Sequence, residues 1–152
     1  MADYPGPAVG LAAAVSVADE LFVFGGCRWD GPTQTVINLT DAYAYLPRSN
    51  RWRQLAGLPL AVRGHAAVAL DDRFIYLAGG YQDSEKGFVD AAFIYDIRED
   101  RYAPATRLPY RANVGLVQAG GHVYCLGGED KLRHRTASCY RIKVEDLRPL
   151  SR

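Results

Sequence analysis

Short apolar runs separated by turn residues recur along the chain, and the middle of the sequence shows this pattern most clearly. There, apolar residues dominate positions 66–70, 74–80, 90–96 and 101–108. Runs of this length, with turn residues between them, predict four β-strands in an antiparallel meander. The runs are apolar almost continuously rather than in strict alternation, which is typical of sheets that are covered on both faces.

The middle pattern is repeated on both sides at a period of about 50 residues. An apolar strand is followed by a diglycine at Gly25-Gly26, Gly79-Gly80 and Gly127-Gly128. Tyr45 precedes Trp52 by seven positions, and Tyr95 precedes Tyr102 by the same seven. Several anchors in one order at a constant period indicate a tandem repeat architecture. Each diglycine is expected at a strand end where backbone approaches too closely for a side chain.

These anchors resemble the kelch motif, the blade of one class of β-propeller. The middle copy resembles it best, because it also opens with Arg63 and His65, which in that family make hydrogen bonds between blades. The outer copies lack this histidine, and the third copy has Leu147 where the motif has an aromatic.

The resemblance implies an all-β fold: a partial β-propeller of three kelch blades, each a four-stranded antiparallel meander. It implies a single repeat array over residues 1–152, with blades at approximately 5–58, 59–108 and 109–152. The third blade is expected to be incomplete at its outer strand.

Composition favours an ordinary folded domain. The chain is 49% hydrophobic and 23% charged, and its formal net charge of +1 argues against a nucleic-acid binder. No apolar run approaches the roughly 20 residues of a membrane span, and the N-terminus does not resemble a signal peptide. We therefore expect a cytoplasmic protein with no membrane partner.

The three cysteines are an odd number at unmatched repeat positions, so they predict no disulfide framework. Cys125 and Cys139 align with aliphatic residues of the other copies and are expected to be buried. Cys27 begins a polar segment and is expected to be accessible. No metal-ligand spacing or cofactor-binding motif is present, so we expect neither a metal nor a cofactor.

Three blades are fewer than the 4 to 8 with which propellers usually close. An open array would leave an apolar face bare at each end, which costs free energy and favours association. Two explanations remain open at this point. The chain is a fragment of a longer propeller, or it is a homo-oligomer in which several copies complete the ring.

Strand polarity alternates in a meander, so the loops between second and third strands lie on one rim, together with the connections between blades. The three long loops, at residues 27–38, 81–89 and 129–136, all fall on that rim, where a binding surface is expected. Its guanidinium, ammonium and aromatic groups suit a sugar acid or an acidic peptide. The candidate ligand-binding residues are Arg28, Trp29, Arg63, Tyr81, Lys86, Arg111, Asn113, Lys131, Arg133, His134 and Arg135.

No nucleophile–base pair is recognisable in the sequence, so catalytic residues remain unassigned. The primary hypothesis is a non-catalytic kelch module that recognises a protein partner or an anionic small ligand through this rim. The alternative, implied by the resemblance, is a carbohydrate-active enzyme similar to the bacterial kelch sialic acid mutarotases. Fold alone does not choose between the two.

Overall fold

The structure, a computed structural model, describes residues 1–147. The predicted end of the third blade, at residues 148–152, lies outside the described residues. The strands are β1 (Ala13–Val17), β2 (Glu20–Phe24), β3 (Cys27–Asp30), β4 (Thr35–Asn38), β5 (Ala42–Leu46), β6 (Arg51–Gln54), β7 (Ala66–Ala69), β8 (Phe74–Ala78), β9 (Ala92–Asp96), β10 (Arg101–Pro104), β11 (Asn113–Ala119), β12 (His122–Lys131) and β13 (His134–Lys143), followed by a single turn of helix, α1 (Val144–Leu147).

The strands form three antiparallel sheets and one separate hairpin. The first sheet has the order β1-β2-β5-β6, the second β7-β8-β9-β10 and the third β11-β12-β13, while β3 pairs with β4. The inner strand β7 contacts both β1 and β11, as adjacent blades around one axis require. The all-β prediction of a partial propeller built from antiparallel four-stranded blades is thereby confirmed.

The core lies between the blades, which explains why the strands are apolar on both faces. In β8, Ile75 and Leu77 belong to the cluster shared with the first blade, around Phe22. The alternate residues of the same strand, Tyr76 and Ala78, belong to the cluster shared with the third blade. Because side chains alternate along a strand, one sheet buries two apolar surfaces.

The diglycines end second strands where the connections between blades pass close by. A Cβ at Gly26 would lie 2.6 Å from the carbonyl oxygen of Gly10, and its φ of +92° is in the region that favours glycine. Gly80, in the next copy, has a φ of +113° and faces Val62 of a connection between blades. The expected close approach of backbone at these positions is confirmed.

Two of the three expected long loops are instead strand-forming. Residues 27–38, predicted to be a loop, form the hairpin β3–β4, in which Trp29 lies opposite Val36. Its turn is held by Asp30, whose carboxylate accepts a 2.5 Å hydrogen bond from the Thr33 hydroxyl. In residues 129–136, β12 continues to Lys131 and β13 begins at His134, so only a tight turn remains. Cross-strand pairing stabilises both segments. The sequence did not predict these strands, because the two segments are rich in polar residues.

The end face of the first blade is partly covered by the N-terminal segment of the chain. The Tyr4 ring packs edge-on against the rings of Tyr43 and Trp52, with centroids 5.1 and 5.4 Å away. The indole N–H of Trp52 donates a 3.1 Å hydrogen bond to the carbonyl of Ala2. The face that was expected to be bare is therefore covered in part, while Leu21 of β2 is 41% exposed.

The end face of the third blade is open among the described residues. Val117 and Leu126, which point away from the second blade, are 46% and 43% exposed. Cys139, which pairs with Leu126 on this face, is exposed, so the prediction that it is buried was wrong. Cys125 points towards the second blade and is buried as predicted. None of the helices among residues 1–147 is long and apolar enough to cross a membrane.

Candidate functional site

Arg63 links the first two blades at the rim that was predicted to bind ligand. Its guanidinium donates a 2.9 Å hydrogen bond to the Asn38 side-chain oxygen and lies over the Tyr81 ring, 4.6 Å from the ring centroid. The Asn38 amide in turn donates to the backbone carbonyls of Tyr81 and Gln82, at 3.1 and 2.7 Å. The interpretation of Arg63 as an inter-blade hydrogen-bonding residue is confirmed.

His65 makes none of the inter-blade hydrogen bonds that the family resemblance led us to expect. Its side chain is 6% exposed, and neither ring nitrogen has a hydrogen-bond partner among the described residues. A Cβ at Gly25 would lie 3.0 Å from its Cε1, so the ring is enclosed by the first blade. Burial lowers the pKa of His65 from its ordinary value of 6.5 to about 4, because the charged form would lose its hydration.

A groove of about 390 Å³ lies between the loop of the second blade and the long hairpin of the third. We call it the rim groove; its lining residues are Tyr81, Ser84, Lys86, Gly87, Phe88, Arg111, Asp130, Lys131 and Leu132. One wall is aromatic, since the Tyr81 and Phe88 rings meet edge to face with centroids 5.0 Å apart.

The loop that carries Lys86 is held in place by Asp83. The Asp83 carboxylate accepts hydrogen bonds from the backbone N–H groups of Glu85 and Lys86, at 3.0 and 2.8 Å. These bonds favour the charged form and lower the pKa of Asp83. Gly87 closes the turn, because its N–H donates to the Asp83 carbonyl at 2.8 Å. Lys86 is thus presented by an ordered turn.

Three cations line the rim groove, together with one acid, Asp130. Among the described residues, Lys86, Arg111 and Lys131 form no ion pair within 4.0 Å. Asp130 also lines the groove, but its carboxylate is engaged by the Nδ1 of His134 at 2.5 Å. That hydrogen bond lowers the pKa of Asp130. The groove therefore presents positive charge beside an aromatic wall.

Two of the other predicted cations are paired locally. Arg28 contacts Asp30 within its own hairpin at 2.9 Å, and Arg135 lies 3.6 Å from the Glu129 carboxylate. The second oxygen of Glu129 accepts a 2.9 Å hydrogen bond from the backbone N–H of Arg133. These pairs neutralise part of the charge that the sequence suggested would be available.

Two predicted residues have other surroundings. Trp29 is 62% exposed on the hairpin of the first blade and does not line the rim groove. The amide of Asn113 lies against Gly64, where a Cβ would be 2.8 Å from its nitrogen, and its oxygen is buried without a partner.

Of the predicted set, the groove brings together Tyr81, Lys86, Arg111 and Lys131. Sequence reasoning missed Phe88 and Leu132, which supply apolar surface. Phe88 directly follows Gly87 within a polar segment. A glycine next to an aromatic residue in such a segment could have indicated an ordered turn. Asp130 and His134 also form a carboxylate–imidazole pair that no sequence motif indicates. Among residues 1–147, no cluster of three or more His, Cys, Asp or Glu side chains could hold a metal ion.

Comparison with known proteins supports the repeat assignment. The family described as the kelch motif matches residues 9–59. Kelch-like protein 35 of Mus musculus is 30% identical over 88% of this chain and 21% of its own length. The predicted resemblance to the kelch-repeat family of β-propellers is thereby confirmed.

The chain is also similar to two longer proteins. The N-acetylneuraminate epimerase of Salmonella typhimurium is 25% identical over 91% of this chain and 45% of its own length. The solved structure described as YjhT matches 99% of this chain and 55% of its own with a TM-score of 0.82, at 21% identity, which concerns the fold alone. The chain thus spans about half the length of these two proteins.

Proposed function

We propose that this kelch module binds an acidic group in the rim groove and serves as a recognition unit. The observation that carries the proposal is the convergence of Lys86, Arg111 and Lys131, without ion pairs among the described residues, beside the Tyr81–Phe88 wall. A bound carboxylate would form the ion pairs that these three cations lack among the described residues. Charge-assisted hydrogen bonds to such groups are about twice as strong as neutral ones.

The groove also constrains the size and character of the ligand. A volume of about 390 Å³ is within the range of small-ligand pockets. The aromatic wall and Leu132 favour a compact body with an apolar face, which a sugar acid provides. An acidic side chain on the loop of a partner protein offers the same chemistry, and the two sources are separable by experiment.

A direct test compares N-acetylneuraminate with a glutamate-containing peptide by titration calorimetry. Lys131→Ala and Arg111→Ala are each expected to weaken binding by about 1.5–3 kcal/mol, or roughly 10- to 150-fold. Arg98→Ala, which removes an exposed cation near Asp72 at a turn of the opposite rim, is the matched control and should leave affinity unchanged. Equal losses in all three variants would refute a groove-specific site.

A second candidate function is carbohydrate chemistry at the same groove. Two observations favour it: the relatives named N-acetylneuraminate epimerase, and the Asp130–His134 pair at 2.5 Å, of which Asp130 lines the groove. A carboxylate–imidazole pair is suited to moving a proton to or from a sugar hydroxyl. In an NMR assay of the exchange between the anomers of N-acetylneuraminate, the wild-type chain should accelerate the exchange, and His134→Asn should not. Binding without acceleration would leave recognition as the function.

The propeller in which this site acts is proposed to contain further blades. Val117 and Leu126 on the open face of the third blade support this, because the equivalent faces of the other blades are covered. Light scattering and hydrophobic-dye binding at micromolar concentration test it. A monomer that binds no dye would contradict the proposal.

A further inference from the structure

The second and third blades open with different side chains at the same repeat position. Arg63 pairs with Tyr81, which follows the second diglycine. Asn113 pairs with Glu129, which follows the third diglycine. In this register Asn113 stands where the preceding blade has Arg63. Each of the two residues enters its blade beside the blade before it, so its side chain decides how the rim between two blades is filled.

Between the first and second blades, the Arg63 side chain fills the rim. Its guanidinium donates a 2.9 Å hydrogen bond to the Asn38 side-chain oxygen and has a long contact of 3.5 Å with the carbonyl oxygen of Gln82. It also covers the Tyr81 ring, 4.6 Å from the ring centroid. The guanidinium therefore bridges the end of β4 in the first blade and the start of the loop in the second.

The rim groove takes the place of this side chain at the next interface, between the second and third blades. Asn38 lies opposite the residue that follows the first diglycine, and Phe88 lies opposite the residue that follows the second, so these two are counterparts. Gln82 and Asp130 are counterparts because each is the second residue after a diglycine. Phe88 and Asp130 both line the rim groove. The groove is thus bounded by the counterparts of the residues that the guanidinium contacts one interface earlier.

Asn113 is too short to fill this place as an arginine would, and its amide points elsewhere. The amide lies against Gly64, where a Cβ would be 2.8 Å from the amide nitrogen, 3.0 Å from its carbon and 3.2 Å from its oxygen. The amide has room there because residue 64 is a glycine, whose φ of +66° is in the region that favours glycine. Asn113 is therefore not among the lining residues of the rim groove.

Stability does not explain an asparagine at this position. Its side-chain oxygen is buried and has no hydrogen-bond partner among the described residues. A buried acceptor without a partner costs free energy. A longer side chain could instead pack on the Phe88 ring, since guanidinium groups stack on aromatic faces. What the short side chain does provide is an open groove.

We propose that Asn113 determines the size of the ligand that the rim groove accepts, because it leaves open the space that Arg63 fills one interface earlier. The inference rests on the proposed function of the groove as a ligand site. Asn113 acts by its length rather than by contact with the ligand. A group of the ligand about as large as a guanidinium takes this place. A planar carboxylate suits it, because Arg111 lines the groove two residues before Asn113.

The test changes the length of this side chain with and without charge. Asn113→Met and Asn113→Arg should each weaken the binding of N-acetylneuraminate, or of the glutamate-containing peptide, by more than about tenfold in titration calorimetry, because both side chains reach into the groove. Affinity should fall with side-chain length, from Asn113→Ser through the wild type and Asn113→Gln to the two long variants. Gln118→Met, at the other end of β11, is the matched control and should leave affinity unchanged, because Gln118 is exposed far from the groove along the strand.

A second measurement does not depend on the ligand. In Asn113→Met the introduced methyl group should show nuclear Overhauser contacts with the Phe88 ring; Met1 is the one methionine of the natural chain. If Asn113→Met does not fold, the methyl groups of Asn113→Leu give the same readout. If the wild type binds neither ligand, the proposed function fails, and these contacts alone decide whether a long side chain at position 113 closes the groove.

Three results would overturn the inference. The first is a folded long variant without contacts to the Phe88 ring. The second is binding by Asn113→Met that is as tight as in the wild type. The third is a loss in Asn113→Ser as large as that in Asn113→Met, which would make the amide a direct contact of the ligand rather than a residue that acts by its length.

Discussion

The buried His65 makes the stability of this chain sensitive to mild acid. Its ring is 6% exposed with neither nitrogen hydrogen-bonded to a described residue, and its pKa in the folded state is about 4. In the unfolded chain the imidazole regains water and its ordinary pKa of about 6.5. Between these two values the unfolded state binds more protons than the folded state. Lowering the pH through this window therefore favours unfolding.

The size of the effect follows from the two pKa values. At pH 7.5 the histidine is neutral in both states and contributes no pH dependence. Linkage then gives a loss of about 2 kcal/mol in the free energy of unfolding by pH 5, and about 3 kcal/mol by pH 4. Carboxylates such as Asp96, whose pKa is lowered by hydrogen bonds from Arg73, lose their stabilising effect only below about pH 4. The histidine effect is therefore separable by its pH range.

Urea unfolding at pH 7.5, 6, 5 and 4.5 measures this loss directly. His65→Leu removes the titrating group at similar volume, so its stability should vary by less than about 0.5 kcal/mol over this range. At pH 7.5 the variant should be at least as stable as the wild type, because it no longer buries unpaired nitrogens. His122→Asn is the control and should retain the wild-type slope, because His122 is not buried and forms no ion pair with a described residue. A wild-type stability that is flat from pH 7.5 to 5, or an equal slope in His65→Leu, would refute the reasoning.

Three further substitutions probe the packing of the blades. Gly80→Ala should lower the free energy of unfolding, measured in urea, by more than about 2 kcal/mol. The φ of +113° is strained for alanine, and Val62 would lie 3.0 Å from the new Cβ. The control Gly31→Ala should cost little, because a Cβ at Gly31 meets open space. Asp96→Asn should cost about 1.5–3 kcal/mol, since the carboxylate accepts two hydrogen bonds from Arg73 at 3.0 and 2.6 Å; the exposed Asp72→Asn serves as control. Tyr4→Ala should lower the thermal midpoint and increase proteolysis of residues 1–7, and unchanged cleavage would show that the Tyr4 ring contacts do not hold the segment.

The repeat pattern predicted those parts of the fold that inter-blade packing dictates. Gly26 and Gly80 recur because backbone passes where a side chain would collide, and Tyr45 and Tyr95 recur because each fills the same interior position. Such positions are constrained by neighbours that repeat with the same period. A pattern read at that period therefore identifies them without a structure.

The rim was less predictable because its contacts do not follow the period. Residues 27–38 form a hairpin through pairs such as Trp29 and Val36, although their composition resembles a loop. The sequence shows that Arg135 and Glu129 are both present, but only the long β12–β13 hairpin brings them to 3.6 Å. Charges along a sequence do not reveal which will be paired. The sequence therefore predicted the rim on which the candidate site lies. It did not predict which charged residues of that rim are paired with one another.

One departure of the third blade from the repeat lies on the face that the described residues leave uncovered. Arg141 pairs with Tyr124 as Ile94 pairs with Tyr76, so a cation occupies a position that is apolar and buried one blade earlier. Ile142, beside it, occupies the position of the tyrosine. If packing against another blade alone governed this strand, a charge at its centre would carry a desolvation cost without a partner. The charge at Arg141 therefore predicts that the surface which covers this face carries an acidic group close to the guanidinium.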